Sequence, residues 1–279
     1  MTRAFHHSER KRTVSMIKQP IGIIDSGLGG LTVWKELVRT MPNEDYLYFG
    51  DSGFCPYGSK DPEEITRRVK TIIDFLIREN CKIIVVACNA ITASSIDILR
   101  KIYTIPFIGM EPAIKPALLK TKTKVIGVLA TERALKGNLF FNTKQKYAKG
   151  IKIIEQIGKG LVEKVEALDF HSESTMGILK HLLNPMIESN IDFLVLGCTH
   201  YPFLKESMKK ILGGEVVIID PAPAIAQHTA NILKQVKQKK SLEIQKGRST
   251  FLTTGDTNKM QFVLSMMAVT HDDVHSILI

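Results

Sequence analysis

NCKIIVVACNA (residues 80–90) and NIDFLVLGCTH (residues 190–200) align without a gap. Each copy opens on an Asn at the end of a helical stretch, runs through apolar residues and reaches a small residue followed by Cys. Asn80 precedes Cys88 by eight positions, and Asn190 stands in the same register to Cys198. Lys82–Ala87 is a continuous run rich in β-branched residues, which suits a strand covered on both faces in a parallel sheet between helices. Open α/β sheets place their ligands at the carboxyl ends of such strands. The repeat therefore predicts two related α/β halves, each presenting one cysteine, Cys88 or Cys198, at a strand end.

The pattern extends outward from the repeat. Further strands are expected at Ile21–Asp25, Tyr46–Phe49, Phe107–Gly109, Lys124–Leu129, Lys152–Gln156, Asp192–Leu196 and Val216–Ile219. A helix fits Leu31–Thr40 and ends at Pro42-Asn43. Asp61-Pro62-Glu63-Glu64 starts another, with proline early and carboxylates near the positive end. The expected architecture is α/β: two open parallel-sheet domains facing each other across a cleft. Prolines mark a crossover near Glu111–Pro116 and a return near Pro221–Pro223.

Composition narrows the class. Of 279 residues, 44% are hydrophobic and 24% charged, the balance of a globular protein. No apolar run reaches the length of a membrane span. The basic, polar residues 1–19 lack the apolar core of a secretory signal, so the expected compartment is the cytoplasm. Much of the +10 net charge lies in residues 1–20 and 234–248, without the interleaved aromatics of a single-strand groove. That placement favours solvated charge over nucleic-acid binding, which stays a remote alternative. Cys55, Cys81, Cys88 and Cys198 show no CxxC or zinc-like spacing, so free thiols and no metal site are expected.

Cys81, at a helix–strand junction, reads as packing, and Cys55 as a neighbour of the site that takes no part in it. Cys88 and Cys198 differ, because each stands where a strand stops and backbone amides come free to stabilise a thiolate. Two thiols across a cleft suggest proton removal from one face of a substrate carbon and return to the other. The resulting carbanion needs donors. Asp25-Ser26, Tyr57-Gly58, Asn89-Ala90, Thr131 and Thr199-His200 stand at the right places to supply them. Plainer readings exist: Asp25 as a turn cap, Tyr57-Gly58 as an ordinary turn, His200 as a structural histidine, Glu166 as a solvated helix residue. The glycines of DSGLGG lack the Lys-Ser/Thr of a nucleotide loop.

IGIIDSGLGGLTV, CPYG, ACNAITA, GMEPAIKPA, GVLAT, GCTHYP and FLTTGD together resemble the successive motifs of the bacterial glutamate racemases, over residues 20–262. The resemblance implies cofactor-independent interconversion of L- and D-glutamate, with Cys88 and Cys198 as acid and base. Asp25, His200 and Glu166 would assist, with Glu163 as the other register for the glutamate. Substrate would be bound by Asp25, Ser26, Tyr57, Gly58, Asn89, Ala90, Thr131, Thr199 and His200. It further implies D-glutamate supply for peptidoglycan, a homodimer, and in part of the family activation by a cell-wall precursor. The implied domains are 20–112 with 226–279, carrying Cys88, and 113–225, carrying Cys198. Aspartate racemases usually have an acidic residue where His200 stands, which leaves aspartate as the alternative substrate. Ala90 and Ala134 replace the family's usual threonines, and Ile91 is bulkier than usual.

Overall fold

The computed structural model describes residues 19–110, 113–235, 246–268 and 273–279. Residues 1–18 of the basic extension, the Glu111-Pro112 part of the crossover and most of the basic stretch 234–248 lie outside the described residues. Strand and helix alternate along the chain. The first part runs β1 (Ile21–Asp25), α1 (Leu31–Thr40), β2 (Tyr46–Gly50), α2 (Pro62–Arg78), β3 (Ile83–Val86), α3 (Asn89–Ile102) and β4 (Phe107–Gly109). The middle part begins with α4 (Ile114–Lys120), β5 (Val125–Ala130), α5 (Glu132–Leu135), α6 (Asn138–Tyr147) and β6 (Lys152–Ile157). It continues through α7 (Leu161–Glu166), α8 (Glu173–Glu188), β7 (Phe193–Gly197), α9 (Lys205–Leu212) and β8 (Val217–Ile219). The chain closes with α10 (Ala222–Gln235), β9 (Ser249–Thr253), α11 (Thr257–Met266) and β10 (Val274–Ser276).

These strands form two parallel sheets in the orders β10-β9-β2-β1-β3-β4 and β6-β5-β7-β8, so the molecule is two α/β domains. The matching positions of the repeat fold alike. Asn80 and Asn190 both take the left-handed conformation, φ 64° and 56°, which a short polar side chain tolerates at a helix end. In each copy the Asn amide donates to a carbonyl three residues back, and the next amide to one five back: Asn80 to Ile77 and Cys81 to Leu76, Asn190 to Ile187 and Ile191 to Met186. Those caps turn α2 into β3 and α8 into β7, and so aim Cys88 and Cys198.

The expected strands occur with ends shifted by a residue or so. Strands β9 and β10 were not anticipated, for physical reasons. Ser249–Thr253 buries only alternate residues, and Val274–Ser276 is three residues on the sheet edge with little side-chain burial. The marker prolines at 116 and 223 sit in the first turns of α4 and α10, where a missing N–H costs nothing. From Ala222 onward α10 packs with α1 in the core of the first sheet. Helix α2 starts as its residues predict, Asp61 accepting from the Glu63 and Glu64 amides with Pro62 next.

A buried ion pair ties the first domain together at the site's edge. Asp51, fully buried after β2, accepts from Arg68 Nε and Nη2, both at 2.8 Å, from Tyr57 Oη at 2.6 Å and from Thr254 Oγ1 at 2.7 Å. Arg68 also donates to the carbonyl of Ile279. Burial alone would raise the Asp51 carboxyl, but the Arg68, Tyr57 and Thr254 bonds outweigh it and hold its pKa below the ordinary value. A depressed folded pKa contributes stability that is present above an unfolded value of about 3.9 and is lost as pH falls below it. Asp51→Ala is therefore expected to cost roughly 3–5 kcal/mol in urea unfolding at pH 7, by stranding Arg68. Asp51→Asn is expected to flatten the loss of melting temperature between about pH 4 and pH 2.

Candidate active site

The residues after β1, β3, β5 and β7 and the Tyr57-Gly58 turn converge on one cleft. Ser26, Pro56, Tyr57, Gly58, Cys88, Asn89, Ala90, Thr131, Val162, Cys198, Thr199 and His200 line a space of about 250 Å³. Ser26 follows β1, Cys88 follows β3, Thr131 follows β5 and Cys198 follows β7, so both sheets deliver their carboxyl ends to it. Asp25 lies just beneath, fully buried, its Oδ1 accepting from Gly27 N at 2.9 Å and its Oδ2 from Thr199 Oγ1 at 3.1 Å. The last bond crosses between domains. Gly58 lets the 57–59 turn close on the second domain, because a Cβ there would stand 2.9 Å from Thr131 Cβ.

Glu166, at the end of α7, is the second crossing. Its Oε1 accepts from Leu28 N at 2.7 Å and lies 2.7 Å from His200 Nε2; its Oε2 accepts from Ser52 Oγ at 3.0 Å. Glu163 is exposed, so of the two registers it is Glu166 that meets His200. Burial alone would raise the Glu166 carboxyl, yet His200, Leu28 and Ser52 bring it below its usual value. Burial would likewise lower the His200 imidazole, but its bonds to Cys198, Cys55 and Glu166 raise it well above the ordinary histidine value. Both shifts favour the charged forms of the pair. His200 Nδ1 lies 3.8 Å from Cys198 Sγ and can donate to it.

The Cys88 side is built differently. Its sulfur donates to Ser26 Oγ at 3.6 Å. Burial pushes the Cys88 thiol up to about 12, with the Asp25 charge adding to the rise and Ile91 N–H and Ser26 opposing it. This corrects, for Cys88, the expectation that freed amides at the helix start stabilise the thiolate: desolvation wins there. Asn89 is 7% exposed, and its Oδ1 has no hydrogen-bond partner among the described residues. An unsatisfied buried acceptor costs about 1–3 kcal/mol, which a bound ligand's N–H or O–H would recover.

Tyr57 lines the cleft with its ring, while its hydroxyl is committed to Asp51. Three contributors escaped the sequence reading: Pro56, Val162 and the Leu28 amide. None carries a chemical signature of its own. Cys55 packs beside the site, and its sulfur with one donor each of Glu166 and His200 forms a set within 4.8 Å. No helix among the described residues is long and apolar enough to cross a membrane.

Residues 21–229 match the model of the Asp/Glu/hydantoin racemase family. A glutamate racemase of Roseiflexus is 38% identical over 262 residues, covering 94% of this chain and 96% of its own. The crystal structure of a glutamate racemase from Bacillus anthracis superposes with a TM-score of 0.83 at 31% identity, over 93% of this chain and 97% of that one. The Escherichia coli glutamate racemase, solved with L-glutamate and the activator UDP-MurNAc-Ala, gives a TM-score of 0.80 at 27% identity, over 93% and 98%.

The raised Cys88 thiol has a direct signature. Mapping iodoacetamide labelling of ligand-free protein against pH is expected to place the Cys88 inflection well above the roughly 8.5 of a free thiol. Asp25→Asn is expected to lower that inflection without bringing it to the free-thiol value, since burial is the larger cause.

Proposed function

This chain belongs to the Asp/Glu/hydantoin racemase family, and we propose on that premise that Cys88 and Cys198 racemise glutamate as a pair of opposed acid/base groups. The activity is that of a glutamate racemase, an isomerase of the L and D forms. What carries the mechanistic reading is the pairing of Cys88 and Cys198 in one cleft at the ends of equivalent strands.

One sulfur, as thiolate, takes the proton from the substrate Cα. The opposed thiol then gives its own proton to the other face, leaving the mirror-image amino acid and a thiolate on the second sulfur. Proton count and charge balance at every step. His200 assists Cys198 through its ring, and Glu166 holds His200. Asp25 sets the charge around Cys88 and orients Thr199. Ser26, Tyr57, Gly58, Asn89, Ala90, Thr131, Thr199 and His200 receive the substrate, with the Asn89 side-chain oxygen accepting from its ammonium group. An ammonium brought next to a buried thiol stabilises the thiolate, so substrate entry itself draws Cys88 into its working range.

The same reading takes 20–112 with 226–279 and 113–225 as the two moving lobes, whose closure excludes water. It makes the protein a cytoplasmic homodimer that supplies D-glutamate for peptidoglycan and needs no added cofactor. A UDP-linked cell-wall precursor of the kind bound by the Escherichia coli enzyme is a candidate activator.

Circular dichroism of L-glutamate with the purified protein and no cofactor is expected to decay to zero signal as the enantiomers equalise. Persistence of the L-glutamate signal while L-aspartate decays would overturn the substrate. Cys88→Ser and Cys198→Ser are each expected to lower kcat by about 10³-fold or more. A Cβ at Gly29 would overlap His200 Nδ1, so Gly29→Ala tests the positioning of that ring. It is expected to cost roughly 10²-fold in kcat, with a lowered melting temperature because it also opposes the approach of the second domain.

A further inference from the structure

Cys55 has no part in the proton transfer above, yet its sulfur sits within 4.8 Å of a donor atom of His200 and one of Glu166. We propose that Cys55, Glu166 and His200 form a binding site for a borderline divalent cation, Zn²⁺ above all, that bridges the two domains and fastens His200 and Glu166 to Cys55.

The donor set is one thiol, one carboxylate and one imidazole, the mixture that zinc binds tetrahedrally with an open fourth position. Zinc bond lengths of about 2.0–2.3 Å place tetrahedral donors about 3.4–3.6 Å apart. No donor here has to move by more than roughly 1.5 Å to close on a metal. His200 and Glu166 are already in contact at 2.7 Å, so the metal replaces the proton between them. Glu166 keeps its outer bonds to Leu28 N and Ser52 Oγ, the kind of second-layer support that orients a metal-bound carboxylate. Ser52 also anchors Cys55, whose amide donates to the Ser52 carbonyl at 3.3 Å. A single turn thus positions the thiol and steadies the carboxylate. Cys55 and Ser52 come from the first domain, Glu166 and His200 from the second, so a bound ion fastens the cleft from one side.

The consequence for activity rests on the proposed movement of the two lobes. With His200 Nε2 on zinc, the ring and Glu166 are tied to Cys55 of the first domain, so the opening of the cleft that admits substrate is opposed and turnover falls reversibly. No spacing rule could find these donors, which stand at positions 55, 166 and 200 on separate loops and helices.

The test is zinc chloride titrated into chelator-treated full-length protein, in competition with a chromophoric chelator. One Zn²⁺ per chain is expected to bind, and Cys55→Ala, Cys55→Ser and Glu166→Gln are each expected to weaken it at least about 100-fold. Each variant is checked for a cooperative melt, so that one unfolded variant leaves two others to decide. In parallel, the zinc concentration that halves glutamate racemisation, relative to each variant's own zinc-free rate, is expected to rise by a similar factor for both Cys55 variants. Absence of binding by the wild type overturns the site. Undiminished binding or inhibition in the Cys55 variants, with loss in Cys88→Ala, overturns it in favour of an ion bridging the thiol pair. The chelator readout needs no activity, so it decides the site even if glutamate proves not to be the substrate.

Discussion

One half-buried carboxylate organises the junction between the two domains. Glu166 ends a six-residue helix in the second domain, yet Leu28 N, Ser52 Oγ and Lys259 Nζ, which bind its side chain or its carbonyl, all belong to the first. An ion taken out of water costs several kcal/mol unless its lone pairs are filled, so this arrangement stands only while the domains are in contact. The glycines of the first loop follow from it. A Cβ at Gly27 would overlap Glu166 Oε1, and one at Gly29 would overlap His200, so the turn after β1 has to be bare for the second domain to approach. The Asp25–Thr199 bond, from that same turn, is the other side of the clasp.

The two thiols are unlike because their surroundings are. Cys198 faces the His200 ring, which Glu166 holds, while Cys88 sits among Ala90, Ile91 and the Asp25 carboxyl, where burial raises its thiol. The Cys198 charge itself contributes to the rise at Cys88. Like charge on two sulfurs in one desolvated cleft is unfavourable. On the proposed mechanism that asymmetry suits a pair in which one sulfur accepts a proton while the other donates.

Much of this was legible in the chain. The gapless repeat named both cysteines and the strands that aim them, because a parallel strand between helices writes itself as a continuous apolar run. The Asn at each helix end was legible for a related reason, since few side chains accept a left-handed backbone. What stayed hidden depends on side-chain direction or on partners distant in the chain. Glu166 and Glu163 are equivalent by sequence, and only the turn of α7 decides which one faces His200. The Tyr57 hydroxyl looks free until Asp51 is found beneath it. Strand β9 hides because three of its five residues are hydroxylic, and β10 because it is short and half exposed. The thiol at Cys88 was misjudged because counting amides at a helix start says nothing about how completely the sulfur is dried.

The two missing threonines affect the protein unequally. Ala90 lines the cleft between the two cysteines, so a hydroxyl is missing from that wall. Ala134 instead faces a separate hollow of about 410 Å³, lined by residues such as Thr92, Met110, Gly137 and Phe140. Its amide still caps on Thr131 Oγ1 at 3.2 Å, which keeps Thr131 directed from the end of β5 whatever the side chain at 134. Asn89 borders both spaces, and its Oδ1 is the one buried side-chain N or O atom among their lining residues without a hydrogen-bond partner. A change at 134 acts from behind the cleft, on the packing around Asn89 and the end of β5. A change at 90 is made in the cleft wall itself. On the proposed reading the departure at Ala90 is thus the one that bears on substrate fit, while the departure at Ala134 bears on the rigidity of the wall behind it.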